Sequence, residues 1–97
     1  MTNEEIWNIG LEERTDELSK LQSEYDRLDV ECRKAEFEKD MYARLRDVNN
    51  ATLYKQKFSE KYEKCARASE KLTKQKNALE NEISVLKKEI YYINSLM

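Results

Sequence analysis

The side chains with chemistry to offer in this chain of 97 residues are two cysteines, Cys32 and Cys65, six tyrosines, 20 carboxylates, and 18 lysines and arginines. Clustered thiols could hold zinc, and paired carboxylates could act as acid and base. Neither arrangement is set up here. The cysteines lie far apart in sequence, and the chain has no histidine to complete a zinc site or to serve as a base near neutral pH. With a single glycine, no Gly-rich loop can cradle a phosphate. Carboxylates take on catalytic pKa values in clefts, which a long helix lacks. The expectation is therefore that the chain is not an enzyme. No residue is assigned to catalysis, to a cofactor or to a metal.

The elements that carry these side chains follow from composition. One glycine and no proline leave few turn formers and nearly exclude an all-β fold. Charged residues at 39% and apolar residues at 39% instead fit long helix or coiled coil. No run of about 18 apolar residues exists for a membrane span. The acidic N-terminal stretch does not resemble a secretion signal. An intracellular protein, cytoplasmic or nuclear, is expected. Its thiols would be reduced, and the sequon Asn50-Ala51-Thr52 would have no role.

Apolar spacing then supplies the fold. Phe58, Tyr62, Cys65, Ser69, Leu72, Lys76, Leu79, Ile83, Leu86, Ile90, Ile93 and Met97 follow one another at alternating spacings of four and three, which is a heptad seam. In its frame Tyr62, Ser69, Lys76, Ile83, Ile90 and Met97 occupy a, and the others occupy d. Trp7, Leu11, Arg14, Leu18, Leu21, Tyr25, Leu28, Cys32 and Ala35 form a second seam. Thr2 and Glu5 have the spacing of a capping box and predict a helix starting near residue 3. The two seams are out of phase. Between them Phe37, Met41, Tyr42, Leu45, Val48, Leu53 and Tyr54 spread round the helix. Because Gly and Pro are missing there, the reading is one long helix with a phase break near 36–52 rather than a turn. The chain is a single coiled-coil segment, 1–97: acidic heptads over 3–35, the break over 36–54, and C-terminal heptads over 55–97.

Ile at a with Leu at d, and Lys76 at a, favour a two-stranded, mostly parallel coiled coil. Charge opposes that direction. Residues 1–40 are net −7 and residues 41–78 net +6, so antiparallel packing sets unlike charges together. An antiparallel dimer, or a helical hairpin turning near 48–50, is the alternative. A fold about Val48 and Asn49 sets Cys32 level with Cys65, Leu18 with Leu79 and Leu11 with Leu86.

The expected function is structural: homodimerisation, spacing, and scaffold or adaptor contacts inside a larger assembly. The seam residues Leu11, Leu18, Leu21, Tyr25, Leu28, Cys32, Phe58, Tyr62, Cys65, Leu72, Leu79, Ile83, Leu86, Ile90 and Ile93 would oligomerise. Leu53, Tyr54, Val85, Tyr91, Tyr92 and Leu96 lie off the seam and are the candidate partner contacts. A basic stripe over 57–74, built on Lys57, Lys64, Arg67, Lys71 and Lys74, could touch nucleic acid or an acidic cytoskeletal filament. Overall negative charge and the pairs Glu60–Lys64, Glu63–Arg67 and Glu70–Lys74 argue against nucleic acid. A helical-hairpin chaperone or tether is the remaining alternative.

Overall fold

A computed structural model describes residues 1–49 and 51–96. It is all-helical, with α1 over Asn3–Val48 and α2 over Thr52–Leu96, and it has no strand among the described residues. The expected single long helix is thus corrected to two. The sequon residue Asn50 and the seam residue Met97 lie outside the described residues.

The ends of the helices have local causes. The Glu5 amide donates to Thr2 Oγ1 at 3.2 Å, and Glu4 and Glu5 place negative charge on the first turn, where the helix dipole favours it. Asn49 does the work that Gly or Pro was expected to do. Its Oδ1 accepts the Ala51 amide at 3.0 Å, a side-chain imitation of a backbone turn. Ala51 O then accepts the Lys55 amide at 3.0 Å and opens α2. No described residue needs a positive φ.

The chain divides into two units, Leu28–Lys76 and Met1–Arg27 with Asn77–Met97. In the first, contacts between the helices run antiparallel. Asp29 meets Lys76, Cys32 meets Thr73, Glu36 meets Ser69, Glu38 meets Cys65, and the Tyr42 and Phe58 rings stack at 6.3 Å. Leu28, Ala35 and Ser69 are buried. The parallel pairing expected from the a and d residues is not what these contacts show within the chain. The register of the alternative is corrected too, because Cys32 lies beside Thr73 and not beside Cys65.

The covered side of α1 continues past Cys32 and Ala35 through Lys39, Tyr42, Arg46 and Asn49, still at spacings of four and three. The seam was hidden because two of those residues are cations. Arg46 lays its guanidinium over the Tyr62 ring at 5.0 Å, and Lys61 sits over Tyr42 at 5.4 Å. The shift in phase is taken up where the helix itself stops.

In the unit of Met1–Arg27 with Asn77–Met97, Ile83 and Leu86 are buried, and Leu11, Leu18, Leu21, Tyr25, Leu79, Ile90 and Ile93 are half-buried. Gln22, Tyr25 and Asp26 share one groove with Glu80, Ile83 and Lys87, and Glu17 and Leu21 share another with Leu86 and Glu89. Arg14 bridges the helices, donating from Nε to Glu89 at 3.1 Å and from Nη1 to the Gly10 carbonyl at 3.2 Å.

Two stability measurements follow. A Cβ placed on Gly10 would meet only Arg14 Nη1, at an ordinary 3.5 Å. Gly10→Ala should therefore stabilise the fold by about 1 kcal/mol through helix propensity, measured by denaturant melts. Leu86→Ala should cost about 2–4 kcal/mol. Leu18→Ala, at a half-buried position, should cost less, and equal losses would contradict the burial difference.

Candidate interaction surface

In the unit of Leu28–Lys76 the seam carries polar groups that are paired rather than reactive. Lys76 Nζ donates to Asp29 Oδ1 at 2.6 Å, and Arg33 reaches Asp29 Oδ2 at 3.1 Å. The buried Ser69 hydroxyl donates to Glu36, whose other oxygen holds Lys39 at 3.3 Å. These contacts set the local acidities. The hydrogen bond from Lys76 is the main cause holding the Asp29 carboxyl below its ordinary value, against the opposing effect of desolvation. The Ser69 hydroxyl, followed by Lys39, lowers Glu36, and Glu36 in turn raises Lys39. The Cys65 thiol is pushed up, first by burial and then by the charge of Glu38. A raised thiol is a poor nucleophile. Among the described residues no group of Asp, Glu and Cys could hold a metal ion.

The residues singled out as oligomer seam occupy the sides of α1 and α2 that are covered. Leu28, Ile83 and Leu86 are buried, and Leu11, Leu18, Leu21, Tyr25, Cys32, Phe58, Tyr62, Cys65, Leu72, Leu79, Ile90 and Ile93 are half-buried. Lys76, read as favouring a dimer, spends its ammonium on Asp29 of its own chain. The candidate partner contacts are all open: Leu53, Tyr54, Val85, Tyr91, Tyr92 and Leu96 are exposed, with Tyr91 at 77%. Tyr91 edges a groove with Ile83, Ser84, Lys87 and Lys88, and Val85 lines the groove between Leu21 and Leu86.

The basic stripe is exposed along Lys57, Lys64, Arg67, Lys71 and Lys74. Arg67 is held by Glu63 at 3.5 Å and Lys74 by Glu70 at 3.6 Å, so part of its charge is neutralised along its own helix.

A third exposed group lies on α1. Val30, Phe37, Leu45 and Val48 are exposed on α1, and Met41 is half-buried beside them. Phe37, Asp40, Met41, Arg44 and Leu45 line one shallow groove. The signal was present as spacings of seven, four, four and three from Val30. Among these residues Phe37, Met41, Leu45 and Val48 fall in the stretch where Lys39 and Arg46 hide the continuation of the seam.

No helix among the described residues is long and apolar enough to cross a membrane. Compared with protein families, curated proteins and solved structures, the chain matches none.

The paired carboxylates give stability a sign. Asp29 and Glu36 sit below their ordinary values when folded. Their contribution is present above the ordinary carboxylate range, near pH 4, and is lost as pH falls through the lowered folded values. Melting temperature should drop on acidification below about pH 5, and Asp29→Asn with Glu36→Gln should flatten that dependence. The thiols give a second readout. Cys65 should react with a thiol reagent more slowly in the folded protein than after denaturation at the same mildly alkaline pH.

Proposed function

We propose that the chain is a non-catalytic interaction module, in which α1 and α2 close on each other as an antiparallel helical hairpin and the outward apolar side chains dock protein partners. It would serve as a scaffold or adaptor segment of a larger assembly. The observation that carries this reading is the division of apolar residues between two destinations. One set lines the covered sides of the helices. The other, including Val30, Phe37, Tyr54, Val85, Tyr91 and Tyr92, remains exposed. Aromatic and aliphatic groups left in water in such numbers are what a binding surface uses, because they desolvate readily and anchor a partner. The antiparallel contacts Asp29–Lys76, Glu36–Ser69 and Tyr42–Phe58 support closure within one chain over dimerisation through the seam. The partly neutralised lysine stripe gives less support to a nucleic-acid surface.

The closure has a direct chemical test. Cys32 Sγ lies 3.4 Å from Thr73 Oγ1. In a Thr73→Cys, Cys65→Ser variant, mild oxidation should link Cys32 to residue 73 within one chain at every dilution. Links between chains, or Cys32–Cys32 links, would overturn the hairpin. For docking, Tyr91→Ser with Tyr92→Ser should leave the melting temperature almost unchanged while removing proteins that co-purify with the chain from its own cells. A large fall in melting temperature would instead place both tyrosines in a core.

A further inference from the structure

The exposed apolar residues fall on two lines of opposite electrostatic setting. At 3.6 residues per turn, Val30, Phe37, Met41 and Val48 lie within a strip roughly 40° wide on α1, with Leu45 about 40° beyond one edge and next to Glu38. This strip is on the far side of the helix from Leu28, Ala35 and Tyr42, roughly 140° away. The nearest charges along it are Arg33, Lys34 and Arg44, with Asp26 one turn before Val30. Asp40 is the acid that lines the same groove. Val30, Phe37 and Val48 are 66%, 68% and 76% exposed.

On α2, Ala78, Val85, Tyr92 and Leu96 form a second strip of about the same width. Val85, Tyr92 and Leu96 are exposed at 56%, 63% and 51%. Glu82 and Glu89 run along one side of it and line the groove that contains Val85. Lys88 lies on the other side. The spacing from Phe37 to Val48 equals that from Val85 to Leu96, so the two strips present apolar anchors over the same length of helix. The surroundings repeat the contrast on a larger scale: Leu28–Lys76 carries 13 bases and 9 acids, whereas Met1–Arg27 with Asn77–Met97 carries 5 bases and 11 acids.

We infer that the occupant of the α1 strip is a second copy of this chain, which docks its α2 strip there. This rests on the interaction-module reading and names its partner. Apolar residues supply the burial, and the flanking charges select the pairing. An α1 strip against another α1 strip sets Arg33, Lys34 and Arg44 against their own copies, and an α2 strip against another α2 strip does the same with Glu82 and Glu89. Only the mixed pairing sets unlike charges together, and like charges brought together at an interface are a strong discriminator. The mixed pairing leaves the covered sides of both helices untouched, so self-association and closure of each chain coexist.

Light scattering across a dilution series tests this. The wild-type mass should rise above that of one chain with concentration, to two chains where both strips of each are engaged at once and beyond two where they are not, and added salt should shift the midpoint upward. Phe37→Glu changes a residue outside the seam, and it should keep helicity by circular dichroism and hold the mass at one chain. The decisive experiment uses charge exchange. A Lys34→Glu, Arg44→Glu variant and a Glu82→Lys, Glu89→Lys variant should each remain single, and their equimolar mixture should associate. A wild type that stays single at every concentration would overturn the inference and leave the α1 strip to a different protein. Association that survives Phe37→Glu, or a mixture that stays single, would also overturn it. The disulfide between Cys32 and residue 73 reports separately: if it forms within one chain while these tests fail, the hairpin stands and the self-docking falls.

Discussion

Two helices can cover only one side of each other, and the rest of the structure depends on that constraint. In a larger domain a helix buries a broad apolar face against several neighbours. Within each unit the contacts between α1 and α2 lie along one side of each helix. The consequence is visible in burial. Leu28, Ala35, Ile83 and Leu86 are the apolar residues buried among those described, whereas most other seam residues keep part of their surface in water. Side chains with long stems and charged ends suit such a seam. Arg46 and Lys39 lie along it half-buried, Arg46 with its guanidinium over the Tyr62 ring.

The same thinness explains why polar contacts inside the seam carry information. Apolar heptads on two helices can slide past one another by a heptad with little loss of burial. A lysine and a serine together cannot: a slide of seven would bring Lys76 to Glu36 but leave Ser69 at Ala43, and the opposite slide would leave Lys76 at Gln22. Lys76 on Asp29 and Ser69 on Glu36 lie seven residues apart on each helix, so they mark one register twice. Fixing alignment is the best attested use of such groups in coiled coils, where their contribution to stability is small.

Helical content and the covered stripe of α2 were legible in the sequence, because from Phe58 to Ile93 the seam positions keep strict four and three spacing and all but Ser69 and Lys76 are filled by apolar residues. The stripe of α1 was legible as far as Ala35. Beyond it the pattern became unreadable for a physical reason: Lys39 and Arg46 occupy seam positions with the charge of surface residues, while Phe37 and Leu45 occupy surface positions with the character of seam residues. Each exchange looks like a shift of phase. The stop after Val48 was hidden because Asn49 makes its turn through a side-chain oxygen, a device with no counterpart in a search for Gly and Pro. Strand direction was not encoded in the heptads, since a and d residues fill a seam in either direction. The charge difference between the halves agrees with the antiparallel contacts inside Leu28–Lys76.

Trp7, the single tryptophan, is half-buried beside Asn3, Glu4 and Leu96. It therefore stands where the first turns of α1 meet the last turn of α2. Helix ends open before helix middles. The indole is thus a natural optical gauge of fraying. Its emission reports whether residues 3–7 and Leu96 are together, while the tyrosines Tyr42 and Tyr62, held under Lys61 and Arg46, answer to a different part of the chain.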